Sequence, residues 1–344
     1  MSGKSPWGDG VGIHPEGVVV KADPRIGRKA PALSVIVPCY NEQDCLPTFM
    51  QRMFGAAQAE VGPDFEVILV NDGSRDQTWP CILAMTGRYQ NVLGVNLSRN
   101  HGHQLAVTAG LSLARGEQVM IIDADLQDPP ELLSEMRRQM AQGYDVVYGR
   151  RRSRARESRF KLLTASLFYR MLMRFAEVDI PADTGDFRLM SRRIADQLNA
   201  MPEHDRFLRG MVAWLGGRQT EVLYDRDPRY AGTTGYSLGK MLKLAVNGLI
   251  GFSVAPLNFA VVLAMMGAVI GMFVLLYALI SFLFGHVVTG WTSLALMTVF
   301  FGTGQFVCLG IIGAYLGRTY MEVKKRPLFL IDEVVASSSK ETAE

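Results

Sequence analysis

The sequence predicts an α/β domain built on a mainly parallel sheet, followed by a hairpin of two membrane-spanning helices. Three observations carry that prediction. Between residues 33 and 131 a short apolar run, a polar turn and a helical stretch follow one another four times without interruption, the pattern of parallel strands joined by right-handed crossovers. Each apolar run ends in polar residues, so the chemistry gathers at one edge of the sheet, where open α/β sheets bind ligands. From Leu244 to Gly317 there is no Lys, Arg, Asp or Glu, although the rest of the chain is richly charged.

Residues 1–31 carry Gly, Pro and scattered charge with no helical or strand period, and read as a mobile N-terminal tail. A domain over 32–232 begins with the strand Leu33–Val37, which ends in Pro38-Cys39-Tyr40-Asn41-Glu42 and leads to a helix over Cys45–Ala59. Phe65–Val70 is the second strand, ending in Asn71-Asp72-Gly73-Ser74 before a helix that Ser74 can cap. Val92–Leu97 is the third, ending in Ser98-Arg99-Asn100-His101-Gly102-His103 before an Ala-rich helix over Leu105–Ala114.

The fourth strand, Val119–Ile122, runs directly into Asp123-Ala124-Asp125-Leu126-Gln127. Two carboxylates flanking a small residue at a strand end can converge on a divalent cation or a ribose, and Gln127 adds a neutral oxygen of the kind hard cations accept. The alternative is a strand-to-helix turn with solvated acids. Asp128 is expected to cap the next helix, with Pro129 at its first position and Glu131 closing a capping box.

After Asp145–Tyr148 the chain turns basic, from Arg150 to Arg156, and Phe160–Phe175 interleaves apolar residues with Lys161, Arg170 and Arg174. That spacing suits a helix on an anionic membrane surface, a solvated basic face being the alternative. Thr184-Gly185-Asp186-Phe187-Arg188-Leu189 then sets an acid and a base two apart. Arg206-Phe207-Leu208-Arg209-Gly210 and Arg229-Tyr230-Ala231-Gly232 place cations beside glycines, suited to phosphate, and Lys240–Phe252, in a linker over 233–255, reads as a second interfacial helix.

Within 256–317, Phe259–Phe284 and Leu294–Leu316 each exceed the roughly 20 residues a spanning helix needs. Lys240 and Lys243 precede the pair, and Arg318, Lys324, Lys325 and Arg326 follow it, while the connecting loop has no Lys or Arg. The positive-inside rule therefore predicts both termini and the α/β domain in the cytoplasm. Gly267 and Gly271, like Gly313 and Gly317, stand at small-xxx-small spacing that can support self-association, and Gln305 is a lone intramembrane polar group suited to interhelical bonding. Residues 318–344 read as a cytoplasmic tail, Ser-rich and disordered from about Val335.

Composition narrows the function classes. A chain of 344 residues holds one large domain and an appendage, and its 49% hydrophobic content is high for a wholly soluble protein. A net charge of +3 is too small to argue for nucleic acid. The four cysteines have no metal-ligand spacing, consistent with a reduced, cytosol-facing domain, and Met1–Gly10 lacks the apolar core of a cleavable signal peptide.

Taken together, Pro38–Glu42, Asn71–Ser74, Asp123–Glu131, Gly185–Leu189 and Arg206–Gly210 resemble the family 2 glycosyltransferases, and within them the branch that glycosylates polyprenyl phosphates, the bactoprenol glucosyltransferases and dolichyl-phosphate mannose synthases. The resemblance spans about residues 33–317. It implies a GT-A, Rossmann-like catalytic domain in the bacterial inner membrane, moving a sugar from a nucleotide donor, UDP-glucose or a related UDP-sugar, to undecaprenyl phosphate with inversion. GDP-mannose is the alternative donor, and a non-catalytic sugar-nucleotide sensor the alternative class. On these positions the resemblance lays Pro38, Tyr40, Glu42 and Asp72 around the base and ribose and Asp123 on the ribose. It sets Asp125 and Gln127 on a Mg²⁺ or Mn²⁺ that bridges the pyrophosphate. Asp186 becomes the base or acceptor-positioning acid beside Arg188, and Arg150, Arg206, Arg209, Arg229 and Lys240 the phosphate and acceptor contacts.

Two departures stand out. Gly235 occupies a position where many relatives carry Lys before the equivalent of Tyr236, and His101-Gly102-His103-Gln104 replaces a common Phe-Gly-Lys-Glu. His103 either substitutes for that Lys as a donor or is a capping or core histidine. A processive polysaccharide synthase would carry a Gln-x-x-Arg-Trp motif and more spans, and the sequence has neither.

Overall fold

The computed structural model describes residues 11–13, 19–21, 25, 29–152, 184–225, 255–284 and 290–337. They fall into two compact units, one holding the described residues up to 152, 184–225 and 326–337, the other holding 255–284 and 290–325. The proposed interfacial helices over 160–175 and 240–252 lie outside the described residues, as do Arg229 and Lys240.

In the first unit, β1 (Val11–Ile13) and β2 (Val19–Lys21) pair antiparallel as a small ribbon. The main sheet has eight strands: β3 (Leu33–Cys39), β4 (Phe65–Asn71), β5 (Val92–Leu97), β6 (Gln118–Ile121), β7 (Val146–Arg151), β8 (Thr184–Ser191), β9 (Gln219–Tyr224) and β10 (Ile331–Ala336), in the order β10-β5-β4-β3-β6-β8-β7-β9. The four strands β5-β4-β3-β6 run parallel, as the repeating strand–helix pattern predicts. Every residue of β3 and β4 is buried, because helices cover a parallel sheet on both faces and make its strands mostly apolar; the buried Glu66 accepts from Ser34 Oγ at 2.6 Å and pairs with Arg25. α1 (Leu46–Val61), α2 (Thr78–Arg88) and α3 (His103–Leu113) supply that cover for the first four strands, and α4 (Leu133–Ala141) packs on β7, β8 and β9. Gly110 lets α3 approach closely, since a Cβ there would run into Ile36 of β3.

Beyond β6 the pattern changes. β8 pairs antiparallel with both β6 and β7, with Arg188 level with Ile121 on one side and Tyr148 on the other, and β9 pairs parallel with β7. An antiparallel strand between two parallel ones brings its beginning, Thr184–Asp186, to the edge where β6 and β7 end. α5 (Arg192–Ala200), capped by Ser191 whose Oγ accepts from the Ile194 amide at 3.5 Å, and α6 (Leu208–Leu215) follow β8.

Three sequence expectations are corrected. The helix after β4 starts at Thr78 rather than just beyond Ser74, whose Oγ accepts instead from the Asn41 amide at 3.0 Å. The capping box at 128–131 does not form: Asp128 accepts from the Tyr224 hydroxyl, a 3₁₀ turn covers Pro130–Leu132, and Glu131 forks onto Arg52 at 2.8 and 2.7 Å. The strong bidentate partner outcompetes the local backbone. The stretch after the second span is also more than a tail, because β10 pairs antiparallel with β5 along the sheet edge and Phe329 is fully buried just before it.

The second unit contains α7 (Ala255–Leu283) and α8 (Trp291–Lys324), both long and apolar enough to cross a membrane. α8 runs past the predicted end of the span at Leu316 through Arg318 and Glu322. Protein covers little of either apolar stretch, so large side chains such as Phe273 and Phe306 face outward. Gly267 and Gly271 face the Phe301 ring, with room for a Cβ only 3.5 and 3.9 Å from it, so this small-residue pair is used within the hairpin.

Candidate active site

The acids of the candidate site lie at the ends of β3, β4 and β6 and the start of β8, and the loop after β5 joins them. On the donor side, the loops after β3 and β4 are stitched together. The Glu42 amide donates to Thr78 Oγ1 at 2.8 Å, the Arg75 amide to Asn41 Oδ1 at 2.9 Å, and the Gln77 amide to Gln43 Oε1 at 2.8 Å. Asn41 takes a positive φ of 58°, which its short polar side chain tolerates. This stitching leaves Pro38 buried beneath the loop, Glu42 half-buried and the Tyr40 ring exposed.

Asp72 is buried and its carboxylate is engaged by backbone: the His101 amide donates at 2.7 Å and the Gly102 amide at 3.0 Å. Burial raises its pKa, and those two bonds oppose the rise. Gly73, at φ 62°, is required where the loop meets the Asn100 amide too closely for any Cβ. Asp72 therefore builds the β5–α3 loop, a role its sequence position at a strand end did not distinguish from base recognition.

At the end of β6, Asp125 Oδ1 accepts from the Gln127 amide at 3.1 Å, closing a tight turn in which Leu126 takes φ 60°. Gln127 and Asp128 are buried and Asp123 and Asp125 partly so. Burial, then the neighbouring charges of Asp186, Asp128 and Asp125, push Asp123 up to about 6 against the opposing pull of His103. Among the described residues no group of three His, Cys, Asp or Glu side chains forms a metal cage. Two carboxylates and an amide oxygen within five residues nevertheless fit Mg²⁺ or Mn²⁺, ions that take one or two carboxylates and complete their shells from water and substrate phosphate.

Asp186 is the hub of the site. Its Oδ2 accepts from His103 Nε2 at 3.1 Å, Gln104 Nε2 at 2.9 Å and Arg209 Nη2 at 3.3 Å, and its Oδ1 accepts from Arg209 Nε at 2.9 Å. Burial alone would raise its pKa, but the His103 bond and the Arg209 and Arg188 charges hold it well below the usual carboxylate range. Gln104 reaches further: its Oε1 accepts from the Leu208 amide at 3.0 Å, so one side chain fixes both Asp186 and the first turn of α6, which carries Arg209. The sequence marks Gln104 only as part of the departure from Phe-Gly-Lys-Glu and assigns it no role at the site.

His103 Nε2 lies also 3.7 Å from Asp123 Oδ1. Desolvation pulls its imidazole down, but the Asp186 bond and the two carboxylate charges outweigh that and push it up to about 9. The choice between donor and core histidine is thus narrowed to a charged residue bound to carboxylates.

The arginines divide. Arg188 is buried, donates to the Asp186 and Gly185 carbonyls at 3.3 and 3.2 Å, and stands 3.7 Å from Asp186 Oδ1; burial lowers its pKa to about 10 against the opposing Asp186 charge. It supports the strand under the site. Arg206 does not join the phosphate-facing group: it is buried and donates to the Leu198 and Met201 carbonyls, each at 2.7 Å, at the end of α5. Unsatisfied carbonyls at a helix C-terminus attract a guanidinium, which explains the correction. Arg150 pairs with Glu221 of β9 at 3.0 Å, across neighbouring strands. Arg209 is the one phosphate candidate of the sequence reading that the described residues bring to Asp186.

Comparison with known proteins bears directly on this geometry. The Glycosyl transferase family 2 model matches residues 34–198, from the first sheet strand through α5. An uncharacterized glycosyltransferase of Synechocystis sp. is 42% identical over 308 residues, covering 88% of this chain and 95% of its own length. The chain belongs to glycosyl transferase family 2. This glycosyltransferase is also similar, at 34% identity over 306 residues, to a prophage bactoprenol glucosyl transferase homolog of Escherichia coli, covering 88% of this chain and 99% of that one. The bactoprenol glucosyl transferase of Shigella phage SfII is 34% identical over 87% of this chain and 97% of its own. Matches that leave out only about an eighth of this chain must include α7 and reach into α8.

Proposed function

We propose that the chain transfers one sugar from a nucleotide donor, UDP-glucose or a related UDP-sugar, to a polyprenyl phosphate at the cytoplasmic face of the bacterial inner membrane, inverting the anomeric centre. The observation that carries this reading is the near full-length similarity to bactoprenol glucosyl transferases. The positive-inside asymmetry around the two helices supports a two-span topology with the α/β domain and both termini in the cytoplasm.

In this reading Tyr40 and Glu42 flank the base and ribose, with Asp123 facing the ribose side. Asp125 and Gln127 would hold a Mg²⁺ or Mn²⁺. Such an ion, when bound, offsets charge developing on the departing nucleoside diphosphate. The lipid phosphate, whose second pKa is roughly 6, is largely a dianion near neutral pH and attacks the anomeric carbon without a proton being removed. The new C–O bond forms as the bond to the diphosphate oxygen breaks, and the diphosphate leaves with the electron pair. Asp186 suits this chemistry as an anchor: a carboxylate held far below its ordinary pKa is a poor base but a good orienting group for Arg209 and His103. Keeping the lipid tail in the bilayer avoids about 0.8 kcal/mol for each CH₂ that would otherwise meet water.

Membranes containing the protein, supplied with polyprenyl phosphate and a panel of nucleotide sugars, should yield a lipid heavier by a single hexose-sized unit with one of the donors. A ladder of lengthening glycans, or equal activity on a short water-soluble phosphate, would overturn the proposal.

A further inference from the structure

The acid that the sequence marks as acceptor-directed is less accessible than the donors it holds at the site edge, His103 and Arg209. Only 5% of the Asp186 side chain is exposed, whereas 40% of the His103 side chain is. The Asp186 oxygens already accept from His103, Gln104 and two nitrogens of Arg209. A substrate arriving at this edge therefore meets the donors arrayed on the carboxylate before it meets the carboxylate.

His103 is placed for such an encounter. It is the first residue of α3, where a cation opposes the helix dipole. Two carboxylates compensate: Asp186 at 3.1 Å on the β8 side and Asp123 at 3.7 Å on the β6 side. Asp72 fixes the approach by holding the His101 and Gly102 amides, so the loop delivers His103 in one orientation.

We infer that His103 is a phosphate-contacting residue of the transfer site, a cation clamped between Asp123 and Asp186 whose exposed face meets a phosphate oxygen of the acceptor or of the donor diphosphate. This rests on the transfer reaction proposed above. Asp186 then acts through His103 and Arg209 as a positioning residue. The two carboxylates fix the imidazolium, and the incoming phosphate replaces water on its open side. The charge that the buried acid attracts is thereby offered to the substrate.

The experiment uses the full chain in detergent with polyprenyl phosphate, and compares wild type, His103→Gln, His103→Lys and Asp186→Asn. Wild-type transfer from the nucleotide sugar is measured first: its absence would overturn the proposed function and this inference with it, whereas the variants test the inference by itself. Given transfer, His103→Gln should lose about tenfold or more in kcat/KM, while His103→Lys, which keeps a cation within reach, should recover most of the loss. UDP titration separates the two sources of phosphate: unchanged UDP affinity with a raised acceptor KM assigns the acceptor, and weakened UDP affinity assigns the donor. Melting midpoints identify any variant that fails to fold, and His103→Lys then decides alone. Wild-type kinetics in His103→Gln, or equal losses in the Gln and Lys variants with unaltered midpoints, would overturn the inference.

Discussion

Replacing Arg206 by Met tests whether this arginine belongs to the fold or to the phosphate site. Methionine keeps most of the aliphatic length and removes the donors that meet the Leu198 and Met201 carbonyls at 2.7 Å. Hydrogen bonds to a charged group contribute about 1.5–3 kcal/mol each. The cation near a helix C-terminus adds about 0.3–1 kcal/mol. Against these stands the relief of no longer burying a guanidinium, so a net loss of about 3 kcal/mol is a fair expectation. In a domain of this size each kcal/mol moves the melting midpoint by roughly 2–4 °C, giving a fall of about 6–12 °C. The midpoint can be followed by intrinsic fluorescence of the detergent-solubilised full chain. Donor and acceptor kcat/KM, measured well below the variant's midpoint, should stay within about threefold of wild type. A midpoint unmoved within about 2 °C together with a loss of more than about tenfold in kcat/KM would refute the structural role and return Arg206 to the phosphate contacts.

Two further outcomes follow from the site. Asp125→Asn should melt like wild type yet turn over orders of magnitude more slowly; near-normal turnover at any concentration of added Mg²⁺ or Mn²⁺ would remove Asp125 from the metal-binding role. The folded pKa of His103, about 9, lies above its ordinary 6.5, so the stability it contributes is fully present below about pH 6.5 and is lost as the pH rises through about 9. Melting midpoints should therefore decline across that window more in wild type than in His103→Gln, and parallel pH profiles would contradict the ion pair.

What the sequence disclosed depended on whether the signal was local. β3 to β6 are mainly apolar runs followed by polar turns, and a run of that kind is legible from its own residues despite Ser34, Glu66 and Asn96 within it. The acids at the strand ends were legible for the same reason. β8 was legible as an acid–base motif but not as an antiparallel insertion between β6 and β7, because pairing partners are chosen by the whole sheet. β9 mixes polar and apolar residues at a sheet edge, and β10 lies in a charged stretch after an apolar helix; neither has a core-like pattern. Arg206 and Arg209 look alike in sequence, three residues apart, and only the fold turns one onto helix carbonyls and the other onto Asp186. Ser74 and Asp128 were read as helix caps from local spacing, and both were claimed instead by partners far away in the chain, the Asn41 amide and the Tyr224 hydroxyl.

β10 has a consequence for how the protein is made. A ribosome delivers the chain from its N terminus, so β5 emerges more than two hundred residues before the strand that covers its edge. Throughout that interval β5 presents unpaired amides and carbonyls, a template on which another chain can pair. Both apolar helices are synthesised within the same interval, so in the two-span topology proposed above they enter the bilayer before the sheet can be closed. In that topology a ribosome that stalls or stops within α8 would leave a product held in the bilayer with an open-edged sheet.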